Sequence, residues 1–127
     1  MNLSYFRYQY IDKINQIQYS GSPFKYPINI GNTNLSGFDS RLNFKPKLKW
    51  ISYTSNFSYY FFSDPLAFQL QPDKMIRNII KIKSKWINLN LIHRSESSRQ
   101  ITTVSNAGTL STNFLDPIAN FDINIAS

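Results

Sequence analysis

Residues 50–62, WISYTSNFSYYFF, alternate between bulky side chains and small polar ones, and they carry no charge. One parity is apolar apart from Ser55 and consists of Ile51, Tyr53, Phe57, Tyr59 and Phe61. Successive side chains of a β-strand point to opposite faces, whereas apolar positions of a helix recur every three or four residues. The alternation therefore predicts a strand with one apolar and one polar face.

The same period of two recurs along the chain, for example over residues 38–45, 76–83 and 121–125. We predict six antiparallel strands at about 3–19, 24–44, 49–62, 75–84, 86–95 and 118–126. No segment has convincing helical spacing, so the predicted fold class is all-β. Between residues 11 and 37 the register is left open, because the alternation slips there and Gly31 suggests a bulge or kink.

The links between the predicted strands alternate strictly in length. The chain reverses within a few residues after positions 44 and 84, whereas residues 20–24, 63–74 and 96–117 form wider links. In an antiparallel arrangement this order places every short turn at one end of the strands and every long loop at the other.

Two architectures fit such strands. A soluble sandwich turns its apolar side chains inward, whereas an outer-membrane barrel turns them toward lipid and its polar side chains toward a wet lumen. Two features favour the barrel. Several predicted strands have lengths near the roughly 9–11 residues that cross a membrane, and short turns alternate with long loops. Aromatic residues at strand ends also suit the interfacial girdles of a barrel; they are Trp50, Phe61, Phe62 and Trp86.

The net charge of +7 raises the alternative of a nucleic-acid binder with aromatic stacking residues. Six of the fourteen basic residues lie in KPKLK at 45–49 and KIKSK at 81–85, which we interpret as turns. Single-strand binding would need aromatic and basic residues on one face, yet the aromatic parity of residues 51–61 is nearly free of Lys and Arg. A small soluble β-sheet module that binds nucleic acid or carbohydrate remains the alternative prediction.

Residues 26–62, YPINIGNTNLSGFDSRLNFKPKLKWISYTSNFSYYFF, resemble the late barrel strands of TonB-dependent outer-membrane receptors. In that family a strand with Asn-x-Gly precedes a Gly-hydrophobic-acid motif, a tight turn and an aromatic-rich strand. The matching positions are Asn29, Gly31, Gly37, Phe38 and Asp39, although the family more often has Glu at the last.

Two later segments extend the resemblance. DPLAFQLQPDKM, residues 64–75, is similar to a loop that ends in Pro-Arg-His; Pro72 and Lys74 match, while Asp73 replaces the His. DPIANFDINIAS, residues 116–127, resembles the strand that precedes the closing hairpin.

The resemblance implies that residues 1–127 are a partial barrel domain, an open arc of a 22-stranded barrel in the cell outer membrane. The sequence has no room for an N-terminal plug, no energy-coupling box near its start and no last strand with a terminal aromatic residue, so we expect the plug domain and the closing hairpin to be absent. Because six strands are fewer than the roughly eight of the smallest barrels, we interpret the chain as a fragment. The implied parent receptor takes up a scarce nutrient of the siderophore, cobalamin or glycan class. Its implied partners are outer-membrane lipid, the other barrel strands, the plug and, through the plug, the TonB energy-coupling protein, with no nucleic acid.

The predicted site residues are polar and fall on the parity that would face the lumen. They are Arg41, Asn43, Asn56, Arg77, Lys81, Asn88 and Asn90. The motif positions carried by the resemblance are Asn29, Gly31, Gly37, Asp39 and Pro72.

No enzyme signature is present, and we predict no catalytic residue, cofactor or metal. The chain has no cysteine, which excludes disulfides, thiolate metal sites and a cysteine nucleophile. His93 is its single histidine and has no clustered carboxylate or cysteine nearby in sequence, so we interpret it as structural or solvent-facing.

Overall fold

The computed structural model describes residues 1–105 and 107–126 and is an all-β structure. One short 3₁₀ helix, Pro65–Phe68, lies among the strands. The eight strands are β1 (Asn2–Tyr19), β2 (Lys25–Phe44), β3 (Ile51–Phe62), β4 (Lys74–Lys83), β5 (Asn88–Glu96), β6 (Arg99–Val104), β7 (Leu110–Leu115) and β8 (Ile118–Ala126).

All eight strands belong to one open sheet in the order β7-β6-β1-β2-β3-β4-β5-β8. Antiparallel ladders join six of these strands into a continuous arc, in the order β1, β2, β3, β4, β5 and β8. β6 runs parallel to the end of β1, where Gln18 pairs with Thr103 and Tyr19 with Val104. β7 and β8 are the outer strands, and they do not pair with each other.

The six strands of the arc confirm the six sequence-predicted strands, with bounds that differ by two residues or fewer. The prediction that residues 96–117 form one long loop was wrong, because β6 and β7 form an antiparallel hairpin there. The hairpin was not predicted because polar side chains lie on both faces of β6 and β7, so these strands lack the alternation of apolar and polar residues. Its β-branched run, Ile101-Thr102-Thr103-Val104, is the signal that favours a strand.

A bulge interrupts the β1–β2 ladder at the place where the alternation slips. The pairing moves from Tyr10–Thr33 to Lys13–Gly31 and then to Ile14–Asn29, so each strand in turn contributes an extra residue. Gly31 has φ of 78°, a left-handed conformation that costs glycine little. The expected irregularity at Gly31 is confirmed, and the register of residues 11–37 follows from it.

The long links gather at one end of the sheet and bond to one another. The Asn15 Nδ2 donates to the carbonyl oxygen of Leu66 in the 3₁₀ helix at 2.5 Å. The Leu70 amide donates to the Gln100 carbonyl at the start of the β6–β7 hairpin at 2.9 Å. The turns after β2 and β4 lie at the opposite end, which we call the turn end, so the predicted placement of the links is confirmed. We call the first end the loop end. The predicted alternation in length holds for the later links, but the link over residues 20–24 is one residue shorter than the turn over residues 45–50.

Buried side chains are confined to the loop end and its approaches. The buried apolar residues are Ile17, Ala67, Phe68 and Val104. The rest of the arc is a single layer with both faces open. A compact monomer of 14.8 kDa exposes about 7,000 Å², whereas this structure exposes 9216 Å². The sheet is therefore far from a closed globule.

Candidate functional surface: the two faces of the arc

The strand register assigns the side chains of the arc to two faces. Phe57 lies opposite Ser40 on β2 and Ile76 on β4, whereas its neighbour Asn56 lies opposite Arg41 and Arg77. We call the side that carries Phe57 the apolar face; its large residues include Phe38, Leu42, Tyr53, Phe57, Phe61, Ile76, Ile80, Ile82, Leu89, Leu91, Phe121, Ile123 and Ile125. The other side is the polar face.

All seven sequence-predicted site residues lie on the polar face. Cross-strand pairing connects Arg41 to Asn56 and Asn56 to Arg77, while Lys81 lies opposite Asn90. Asn43 pairs with Thr54 and Asn88 with Lys83 on the same side. The structure thus brings the set onto one surface, and its exposure to a lumen stays a prediction.

Five of the seven residues line two neighbouring clefts. Arg41, Asn43 and Lys81 contribute to a cleft of about 420 Å³ near the turn end, which we call the basic cleft. Its lining is Arg41, Asn43, Lys45, Ser52, Tyr53, Thr54, Lys81 and Lys83. Asn56 and Arg77 line a second cleft of about 210 Å³ farther along the strands, whereas Asn88 and Asn90 line neither.

Opposite charges meet elsewhere on the polar face. Arg94 on β5 and Asp122 on β8 form an ion pair with a closest N–O distance of 3.9 Å. Both side chains are about half exposed (53% and 50%), so solvent screens this pair and its contribution to stability is small. Within residues 1–105 and 107–126, no carboxylate forms an ion pair with a cation of the basic cleft.

A hydrogen-bonded polar cluster crosses the middle of the apolar face. The Asn78 Oδ1 accepts from the Tyr53 hydroxyl at 3.0 Å and from the Ser55 hydroxyl at 2.8 Å. The Asn78 Nδ2 lies 3.2 Å from the His93 Nδ1, and the His93 ring stacks on Phe121 with a centroid distance of 4.5 Å. His93 therefore has a structural role on this face. The cluster was missed from sequence because its members lie on four different strands.

Aromatic rings form a second cluster at the loop end of the polar face. Phe6 contacts Tyr60, Tyr60 stacks on Phe62, and Phe62 stacks on Phe68 of the 3₁₀ helix, with centroids 5.8, 6.4 and 5.1 Å apart. The Lys13 ammonium lies 3.6 Å from the centre of the Phe68 ring. These contacts fix the long link between β3 and β4 over the polar side of the sheet.

The motif positions have distinct structural settings. The Asn29 side chain accepts from the Gly31 amide at 2.7 Å within the bulge. A Cβ at Gly37 would overlap the Tyr59 carbonyl oxygen and lie 2.8 Å from the Phe6 ring, so the close approach of β2, β3 and this ring requires glycine. Asp39 lies on the polar face, and Pro72 bridges to Arg99 at the start of β6.

Metal-ligating side chains do not converge in the described ranges. No group of three or more potential metal-ligating His, Cys, Asp or Glu side chains forms among residues 1–105 and 107–126. The same residues hold no helix with the length and apolar character that crossing a membrane demands.

No protein-family model matches the sequence of this chain, and no curated protein has significant similarity to it. The two faces, the edges and the links of the sheet are therefore the features that point to a function.

Proposed function

We propose that this chain is an arc of an outer-membrane β-barrel of the TonB-dependent receptor type. In this proposal the parent receptor imports a scarce nutrient of the siderophore, cobalamin or glycan class. The partners of the arc are outer-membrane lipid, the remaining barrel strands and the plug, through which the TonB protein couples energy. The apolar face, which spans six strands and which no other element covers in the described residues, is the observation that carries the proposal.

Exposure of the apolar face supports a lipid environment. Phe121, Ile123 and Ile125 on β8 are 77%, 65% and 70% exposed, and Phe57 in the centre of the arc is 39% exposed. Contiguous apolar surface of this extent is rare on soluble monomers, because each Å² left in water forgoes roughly 25 cal/mol. Acyl chains would remove that surface from water across all six strands at once.

The open edges support incorporation into a larger closed sheet. β1 and β8 border the arc and run in opposite directions, so further antiparallel strands can join either side. Backbone groups that face hydrocarbon must be paired, and a closed barrel pairs them all. The polar face then borders the aqueous interior, with the short turns toward the periplasm and the long links outside.

The alternative of a soluble nucleic-acid or carbohydrate module has one favourable observation, the aromatic cluster of Phe6, Tyr60, Phe62 and Phe68. Ring faces of this kind stack on bases or sugars. However, the basic cleft lies at the turn end, whereas the aromatic cluster lies at the loop end. A bound single strand would need both along one path, so we favour the barrel arc.

Depth-dependent fluorescence quenching tests the lipid assignment directly. In a background with Trp50→Phe and Trp86→Phe, a single tryptophan replaces either Phe57 or Asn56, which are sequence neighbours on opposite faces. The chain is reconstituted in vesicles whose acyl chains carry bromine. We expect strong quenching for Phe57→Trp and weak quenching for Asn56→Trp, with the reverse order for aqueous iodide.

Equal quenching of the two tryptophans by bromolipid would overturn the membrane assignment.

The nucleotide sequence around the reading frame provides an independent test of the receptor assignment. We expect it to encode a plug-like sequence upstream and a closing hairpin downstream. A reading frame that has its own intact start and stop signals and unrelated sequence on both sides would contradict the receptor proposal, even if the sheet binds lipid.

A further inference from the structure

The basic cleft has a shape that the strand register dictates. Its floor is β3, where Ser52 and Thr54 present small hydroxyl side chains on the polar face. Its walls are the neighbouring strands, with Arg41 on β2 and Lys81 on β4. Adjacent strands lie about 4.8 Å apart, so the two walls stand roughly 10 Å apart. Long side chains on both walls and short ones between them produce a trough.

The charge of the trough is uncompensated. Arg41 and Lys45 lie on one wall, Lys81 and Lys83 lie on the other, and all four are exposed. No acidic residue belongs to the lining, and no carboxylate in the described ranges pairs with any of the four. Like charges converging on one cleft raise the local concentration of anions.

The hydrogen-bonding groups of the trough are mainly donors. Lysine and arginine donate and cannot accept. The Thr54 hydroxyl donates to the Asn43 Oδ1 at 3.0 Å, and the Asn43 Nδ2 adds a further donor to the lining. A ligand with several acceptor oxygens and negative charge matches this set, as phosphate groups do.

We infer that the basic cleft binds a soluble oxyanion that bears two phosphate groups, one for each cationic wall. Its volume of about 420 Å³ lies within the roughly 300–1,000 Å³ of small-molecule sites. The site requires only that the polar face meets water, so it goes beyond the barrel proposal and does not depend on lipid covering the other face. Arg41 is level with Asn56 on β3 and Lys81 is level with Ser52, so the two side chains approach the ligand diagonally from opposite walls. Ser52 leaves room for the ligand beside Lys81.

Calorimetric titration with pyrophosphate tests the site. The whole chain is purified in a nonionic detergent, with its strand content checked by circular dichroism, and pyrophosphate is added at constant ionic strength. We expect saturable binding, and about tenfold weaker affinity for Arg41→Gln or Lys81→Gln, since each removes one charge-assisted contact. Matched controls are Lys47→Gln, in the turn, and Arg7→Gln, on the apolar face opposite Ser36, which we expect to change affinity less than about twofold.

A second pair of variants tests the shape without altering the charge. Ser52→Leu fills the floor of the trough and should abolish saturable binding, whereas Ser58→Leu, on the same face of β3 beyond the trough, should leave it intact. Absence of saturable binding in the native chain, or equal weakening by Lys81→Gln and Lys47→Gln, overturns the site. Binding by a chain that is monomeric without detergent would support the site and contradict the barrel proposal, so the two failures are distinguishable.

Discussion

The two faces of the arc are built by the same strands, yet they place opposite demands on their surroundings. Phe57 and Asn56 are adjacent in sequence and lie on opposite faces, and the register extends that separation across six strands. The apolar face needs a cover that these residues do not supply, whereas the polar face is compatible with water as it stands. Alternation of side chains can therefore specify two environments without specifying a core.

The largest expected effect of this difference is on the solubility of the isolated chain. Open apolar surface and unpaired strand edges are templates for aggregation. We expect the chain expressed alone to sediment in plain buffer and to remain dispersed in detergent, as measured by ultracentrifugation. A stable monomer in buffer with a cooperative unfolding transition would show that the apolar face needs no lipid or detergent to cover it.

A charge placed on each face measures the difference residue by residue. Phe57→Lys puts a cation on the lipid side near the middle of the strands and should weaken folding into vesicles by about 2–4 kcal/mol. Asn56→Lys adds the same charge on the polar side, opposite Arg41 and Arg77, and should cost less, about 0.5–1 kcal/mol, from repulsion between like charges. Urea titration of vesicle-bound protein gives both values, and equal losses would show that the faces are assigned incorrectly.

Gly37 lies on the polar face where β2, β3 and the Phe6 ring come close together. Gly37→Ala introduces a Cβ against the Tyr59 carbonyl and the Phe6 ring. We expect a loss of about 1–3 kcal/mol in the free energy of unfolding in detergent, the range of overpacking substitutions. Ser36→Ala, the neighbour on the other face, serves as the control. A neutral Gly37→Ala would mean that β2 and β3 are not held at this spacing.

The smallest expected effect concerns the polar cluster within the apolar face. Asn78→Ala leaves the hydroxyls of Tyr53 and Ser55 without their shared acceptor and should cost about 1–2 kcal/mol. Asn90→Ala on the polar face leaves water available to its neighbours and should be nearly neutral. A larger loss of unfolding free energy for Asn78→Ala than for Asn90→Ala would show that water does not reach the middle of the apolar face.

Sequence predicted the parts of this fold that depend on local periodicity. The six arc strands, the bulge at Gly31 and the separation of Arg41, Asn56 and Arg77 from Phe57 all follow from alternation with period two. The β6–β7 hairpin was missed because neither of its faces is consistently apolar, so its pairing depends on contacts with β1 and with the β3–β4 link.

The composition of the clefts could not be predicted, because it depends on register between strands. Ser55 looked like an isolated interruption of the apolar parity, but it bonds to Asn78, 23 positions away along the chain, and Asn78 in turn bonds to His93. Likewise, Arg41 and Lys81 form two walls of one trough only because β3 places small residues between them. Long-range alignment of this kind leaves no signature in a single strand.

The parallel contact between β6 and the end of β1 has a consequence for any strand that joins this side of the sheet. Pairing with Thr103 and Val104 occupies the outer edge of β1 at Gln18 and Tyr19. An added strand can therefore form a ladder only along the preceding part of β1 and must stop below the hairpin. The β6–β7 hairpin thus limits the number of residues over which an added strand can pair with β1, and it blocks the approach of that strand from the loop end.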